Sequence, residues 1–109
     1  MATISNVVID QGTTFSLELN LTNDDASAKD LTNYTVTSQM RKSYEATTAT
    51  AFTTAQVNAT GKITISLTAA ETAAIKAGRY VYDIEIASSS ETLRVLEGIV
   101  TVTPNVTRA

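Results

Sequence analysis

Few residues in this 109-residue chain could do chemistry. It has no histidine and no cysteine, so the commonest general base, the commonest metal ligand and the strongest nucleophile are all missing. A Ser–His–Asp arrangement is impossible. Asp83 and Glu85 stand two apart, a spacing that puts both on one face of a strand. A solvated acidic stripe is the ordinary fate of such residues. Asn23, Asp24, Asp25 and Asp30 could offer oxygens to calcium. They lack the D-x-[DN]-x-[DN]-G frame with a distal glutamate, and such residues more often bond their own backbone in turns. The four glycines are scattered, so no phosphate-cradling loop is present. Arg41, Lys42 and Arg79 can pair with the acidic residues, and nothing marks them as a site. Tyr44, alone in a polar stretch, is a candidate partner contact, since exposed aromatics anchor protein neighbours or sugar rings; the alternative is that it folds back over its own domain. The residues point away from an enzyme, with no catalytic, cofactor-binding or metal-ligating position.

The elements that hold these residues are organised around the stretch 67–86. Thr68 and Glu71 have the spacing of a capping box, and alanines at 69, 70, 73 and 74 favour about two helical turns after it. Gly78 is expected to end the helix in the left-handed conformation, with Lys76 near the negative end of its dipole. A strand over 79–86 follows, with Tyr80, Tyr82, Ile84 and Ile86 on one face.

The rest of the chain reads as strands. A first strand is expected over 4–9, then a turn at Asp10-Gln11-Gly12. The strand over 14–21 alternates cleanly, with Phe15, Leu17, Leu19 and Leu21 inward. A polar loop over 22–30 is pinned at its far end by Leu31. The strand over 34–41 turns Tyr34, Val36 and Met40 to one face, which Ser38 interrupts. A polar loop over 42–50 leads to a strand over 51–57, then a turn at 58–61 and a strand over 62–67. After a connection at 87–91, the last strand, 92–103, changes parity: Leu93 and Val95 share one face, Val100 and Val102 the other. Gly98 is the expected bulge that corrects the register. Pro104 ends the strand, and 104–109 reads as a loose tail.

Seven strands with one short helix between the fifth and sixth predict an all-β fold. Two packed antiparallel sheets bury both sets of apolar faces; a small open barrel is the alternative. The string Ala77-Gly78-Arg79-Tyr80-Val81-Tyr82 resembles the corner before strand F of immunoglobulin-like domains. There a tyrosine hydroxyl bonds back to the preceding loop, two residues before a cysteine. The resemblance makes Tyr80 the corner tyrosine and Tyr82 the stand-in for the cysteine, in an immunoglobulin-like antiparallel β-sandwich without a disulfide. The alternative is that Tyr80 is only an inward residue of an amphipathic strand.

Length and composition bound the reading further. One domain over 1–109 is expected, and 43% hydrophobic against 17% charged residues is not the balance of a disordered tail. A net charge of -3 without a basic cluster argues against nucleic-acid binding. No apolar run reaches a membrane span, and the N-terminus lacks the basic and apolar regions of a signal peptide. The Asn-x-Thr triplets at Asn20, Asn33, Asn58 and Asn105 therefore reflect composition rather than glycosylation.

The segments IDQGTTFSLELNLT, DLTNYTVTSQMRKSY, LTAAETAAIKAGRYVYDIEI and RVLEGIVTVTPNVTR resemble small bacteriophage virion proteins of tailed phages of marine bacteria and cyanobacteria. The opening half is also similar to the N-terminal domain of siphophage baseplate upper proteins, with Gly12 and Phe15 at the start of a strand and Leu31-Thr32-Asn33-Tyr34 at a turn. That resemblance implies a non-enzymatic tail, baseplate or fibre adaptor, or a capsid decoration protein. It would reside in the virion, be assembled in the host cytoplasm, and meet other virion proteins in a symmetric assembly or homo-oligomer. The first strand, or the tail after Pro104, could donate a strand to a neighbour. The other readings are a receptor- or carbohydrate-binding module presented by loops 22–30 and 42–50, and an enzyme inhibitor or anti-defence protein.

Overall fold

Alternation of apolar and polar residues builds two sheets in the computed structural model, which describes residues 3–22, 27 and 29–105. In chain order these are β1 (Thr3–Ile4), β2 (Val7–Asp10), β3 (Phe15–Asn20), β4 (Thr35–Arg41), β5 (Thr50–Ala51), β6 (Thr53–Val57), β7 (Lys62–Leu67), α1 (Ala69–Ala73), β8 (Gly78–Ala87) and β9 (Thr92–Thr103). One sheet has the order β1-β9-β8-β4-β5, with β2 continuing β1 along β9; the other has the order β3-β7-β6. Inward side chains of both sheets, among them Val36, Met40, Ile63, Ile65, Ile84 and Val100, form one buried core.

Two expected strands are each divided, for different reasons. The first breaks at Ser5–Asn6, although β1 and β2 keep one parallel register on β9, Ile4 beside Glu97 and Val7 beside Val100. Across the gap the Asn6 side chain substitutes for a backbone rung, its Oδ1 accepting the Ile99 N–H at 3.0 Å. This strand pairs with β9 of its own chain, and it is the parallel member of an otherwise antiparallel sandwich. The stretch 51–57 breaks at Phe52: β5 pairs with β4 and β6 with β7. Phe52 marks the crossing between sheets, its N–H bonded to the Ser38 carbonyl and its ring buried.

Phe52 also packs between the two sheets. Its ring centroid lies 5.9 Å from that of Phe15 on β3 and 6.2 Å, edge-on, from that of Tyr82 on β8. Aromatic pairs at such distances add about 0.5–1.5 kcal/mol beyond area burial. Ser38, the interruption in the apolar face of β4, is buried but satisfied, donating its hydroxyl to the Asp83 carbonyl at 2.6 Å.

The capping box at the corner is formed: the Glu71 N–H donates to Thr68 Oγ1 and the Thr68 N–H to Glu71 Oε1. The helix is shorter than the alanines suggest. It closes at Ala74 through i to i−3 bonds from Ala74 and Ile75, the tightened ending of a last turn. Gly78 is therefore not its cap and Lys76 lies beyond its last turn. Gly78 instead opens β8 with φ +147°, and a Cβ there would lie 2.7 Å from Lys42 Nζ. The reason for the shortening is tertiary. Gln11 Nε2 donates to the Ile75 carbonyl at 2.7 Å, and the buried Thr72 donates to the Thr13 carbonyl at 2.7 Å, tying the helix to the turn before β3.

The bulge also moves. The register of β8 on β9 slips between Ile84 and Glu85, with Leu96 opposite Ile84 and Arg94 opposite Glu85, so Val95 is the extra residue and not Gly98. Val95 packs toward the core beside Leu96. Gly98 has a different task. It sits opposite Tyr82, where the Ser5 backbone crosses so closely that a Cβ would be 2.0 Å from the Ser5 carbonyl oxygen. That oxygen accepts the Tyr82 hydroxyl at 2.7 Å.

Candidate functional site: the outer face of the larger sheet

The bulge builds this face. Inward residues of β9 are even-numbered from Leu96 onward, so an unbroken strand would turn Arg94 into the core. The extra residue at Val95 reverses the parity and aims Arg94 outward beside Glu85. Asp83 stands directly opposite Glu97, a like-charged pair that repels. Arg94 Nε bridges to Asp83 Oδ2 at 3.2 Å and relieves it. On the far side of β8, Arg41 donates to the Ala46 carbonyl at 2.8 Å and to Gln39 Oε1 at 3.1 Å, which ties the loop after β4 back to the end of that strand.

These side chains line an open groove of about 420 Å³, with Arg41, Tyr44, Val81, Asp83, Glu85 and Arg94 on its walls. Tyr44 does not fold back: it is 78% exposed. Beside the groove runs an apolar strip. Val81 pairs with Ile99, and the outward residues of the N-terminal edge, Ile4 and Val8, fall one row to either side on β9. Ile4 and Val8 are 73% and 61% exposed. Exposed apolar residues rimmed by both signs of charge have the chemistry of a protein contact, an apolar centre with a polar border. The acidic stripe of Asp83 and Glu85 is thus half of a mixed-charge rim.

The remaining residues singled out by the sequence have structural positions. Tyr80 makes the corner, its hydroxyl donating to the Lys76 carbonyl at 2.6 Å, with Lys42 Nζ 4.9 Å above its ring. Asp30 accepts hydrogen bonds from the Thr32 hydroxyl and N–H, which hold its carboxyl below the usual aspartate value, the hydroxyl contributing most. The other proposed calcium ligands, Asn23, Asp24 and Asp25, lie outside the described residues, as does 106–109 of the expected tail. Among the described residues no cluster of three acidic side chains could hold a metal ion. Asn105 is fixed rather than loose, its N–H bonded to Gln11 Oε1.

Sequence reasoning missed Ser5, Asn6, Gln11 and Thr72. Each bonds a group 59 to 94 positions away, and no local spacing signals such a partner. Exposed Ile4 and Val8 were hidden by the alternation rule itself, because in a strand with apolar residues on both faces the rule does not say which face is buried.

No protein-family model and no curated protein matches the sequence. Among solved structures, InlP of Listeria monocytogenes is similar over 94% of this chain and 28% of its own, with 15% identity and a TM-score of 0.53. The N-terminal four Ig domains of Dscam1 isoform 7.44 align over 94% of this chain and 23% of theirs, with 18% identity and a TM-score of 0.46. The chain therefore spans under a third of either structure. At such identity the likeness to InlP is one of fold alone. The fold is an immunoglobulin-like β-sandwich.

Proposed function

We propose that this chain is a non-enzymatic component of a tailed-phage particle, a tail, baseplate or fibre adaptor that docks a neighbouring virion protein on the outer face of the larger sheet. The observation that carries the docking reading is the strip of Ile4, Val8, Val81 and Ile99 beside exposed Tyr44, rimmed by Arg41, Arg94, Asp83 and Glu97. Large apolar and aromatic groups exposed next to guanidinium and carboxylate groups supply both an anchor and a means of rejecting wrong partners. The placement in a particle rests on the sequence resemblance.

Quantitative mass spectrometry of purified particles tests it. A copy number that is a small multiple of the tail symmetry supports the adaptor. A copy number near that of the major capsid protein moves the chain to capsid decoration. Absence from the particle overturns the reading. Tyr44→Ala with Val81→Asp should abolish incorporation while leaving the circular dichroism of the purified domain unchanged. Glycan binding that depends on Tyr44 would instead make the same face a carbohydrate site.

A further inference from the structure

We propose that two copies of this chain pair through β3, joining their three-stranded sheets edge to edge, antiparallel, across a twofold axis at Leu17. This site lies on the opposite sheet from the docking face and does not depend on it.

The free edge follows from the topology. The whole N-terminal strand is taken by β9, which leaves β3 as the outer strand of β3-β7-β6. Leu21 donates its N–H to Gly61, in line with the β3–β7 register. The odd residues of β3 therefore direct their backbone groups to β7, and Ser16, Glu18 and Asn20 direct theirs away from it. The other edges are managed: β5 is two residues long, and β1–β2 is broken at Ser5–Asn6. On β6, Thr54 and Gln56 reach across to carbonyls of Val36 and Tyr34. Over its six residues β3 has no proline, bulge or inward charge, and its single charge, Glu18, is exposed and paired with Lys62 of its own sheet.

The side chains show that the edge is incompletely covered. Phe15, Leu17 and Leu19 face the core but remain half-buried, whereas Leu67, Ile65 and Ile63, their direct partners on β7, are fully buried. A further strand beside β3 would complete their burial.

A second copy fits this edge by register and charge. Among the described residues, the backbone groups of β3 left without a partner strand are those of its even residues, so hydrogen-bonded pairs must join even to even. Centring the axis on Leu17 pairs Ser16 with Glu18 of the second copy and Glu18 with its Ser16, and sets Phe15 opposite Leu19. No charge then faces its like directly, and each Glu18 keeps its own Lys62 at 3.4 Å.

Sedimentation velocity over a concentration series tests this, with variants at two positions. Glu18→Pro removes an N–H that β7 does not use and places the ring in the path of an incoming strand. The wild type should dimerise with rising concentration. E18P should stay monomeric, with the melting temperature of the wild-type monomer. Ser16→Glu, which sets a carboxylate opposite Glu18 of the second copy at two symmetric places, should weaken dimerisation about tenfold, and Ser16→Lys should strengthen it. If E18P unfolds, the opposed effects of S16E and S16K decide. A monomer at every concentration, a dimer indifferent to these variants, or an edge that accepts only an unrelated strand peptide overturns the proposal.

Discussion

β3 and β8 are both amphipathic strands that aim large residues at one core, three from β3 and four from β8, and the two are finished differently. β8 has β4 on one side and β9 on the other, and its Tyr82, Ile84 and Ile86 are buried. β3 has β7 on one side only, and Phe15, Leu17 and Leu19 stay half-buried. Their side chains are comparable, so burial is set by the number of flanking strands rather than by hydrophobicity. One strand is the centre of a wall, the other its unfinished margin.

The largest expected effect breaks the wall at its tightest point. Gly98→Val drives a side chain into the Ser5 carbonyl, 2.0 Å from the position of the first added carbon. This is a backbone obstruction that no rotamer change relieves. It should cost about 3 kcal/mol or more, read as a fall in melting temperature of about 15 °C, with hydrogen exchange rising first along β1 and β2.

The comparison is sharpened by truncating opposite members of one cross-strand pair, Leu17 on β3 and Ile65 on β7. Ile65→Ala in the closed interior should cost about 3 kcal/mol, within the range for buried aliphatic deletions. Leu17→Ala at the open margin should cost about half as much in the monomer, because its methyls are already partly in water. Equal losses by urea denaturation would mean that β3 is as enclosed as β7.

Smaller effects test the hydrogen bonds that close the wall. Tyr82→Phe removes the bond to Ser5 and should cost about 1 kcal/mol. It should also alter the alkaline limb. Burial pushes the Tyr82 hydroxyl above the ordinary tyrosine value, with the Ser5 side chain opposing it. A group whose folded value is raised leaves stability intact below the unfolded value, about 10, and loses it as pH rises toward the folded value. Wild-type stability should therefore fall above about pH 10, and Tyr82→Phe should flatten that fall. Tyr34, raised by its hydrogen bond to Glu91, adds to the same limb. Thr68→Ala, which unmakes the capping box, should cost about 1 kcal/mol, the least of the set together with Tyr80→Phe at the corner.

What was legible in the sequence was what neighbours along the chain decide. The alternation of 15–20, the capping box at Thr68 and Glu71, the corner at Tyr80 and the parity change in the last strand are all local, because side-chain direction and cap geometry follow from spacing within a few residues. Even there the signal identified an event better than its position. The sequence points to Gly98 for the parity change because glycine often marks a bulge, whereas the extra residue is Val95 and the glycine answers to Ser5, far away in sequence.

The docking face shows the same division. Tyr44, Asp83 and Glu85 could be named from the sequence, but the face they share with Ile4, Val8, Val81 and Ile99 is made by lateral pairing of strands from both ends of the chain. The sequence by itself determined the strands, the short capped helix and the absence of histidine and cysteine chemistry, since composition and periodicity are properties of the chain alone. Only the tertiary structure decided which strands are neighbours, which apolar residues remain exposed and which edge is left open, because each depends on hydrogen bonds between segments that periodicity cannot match to one another.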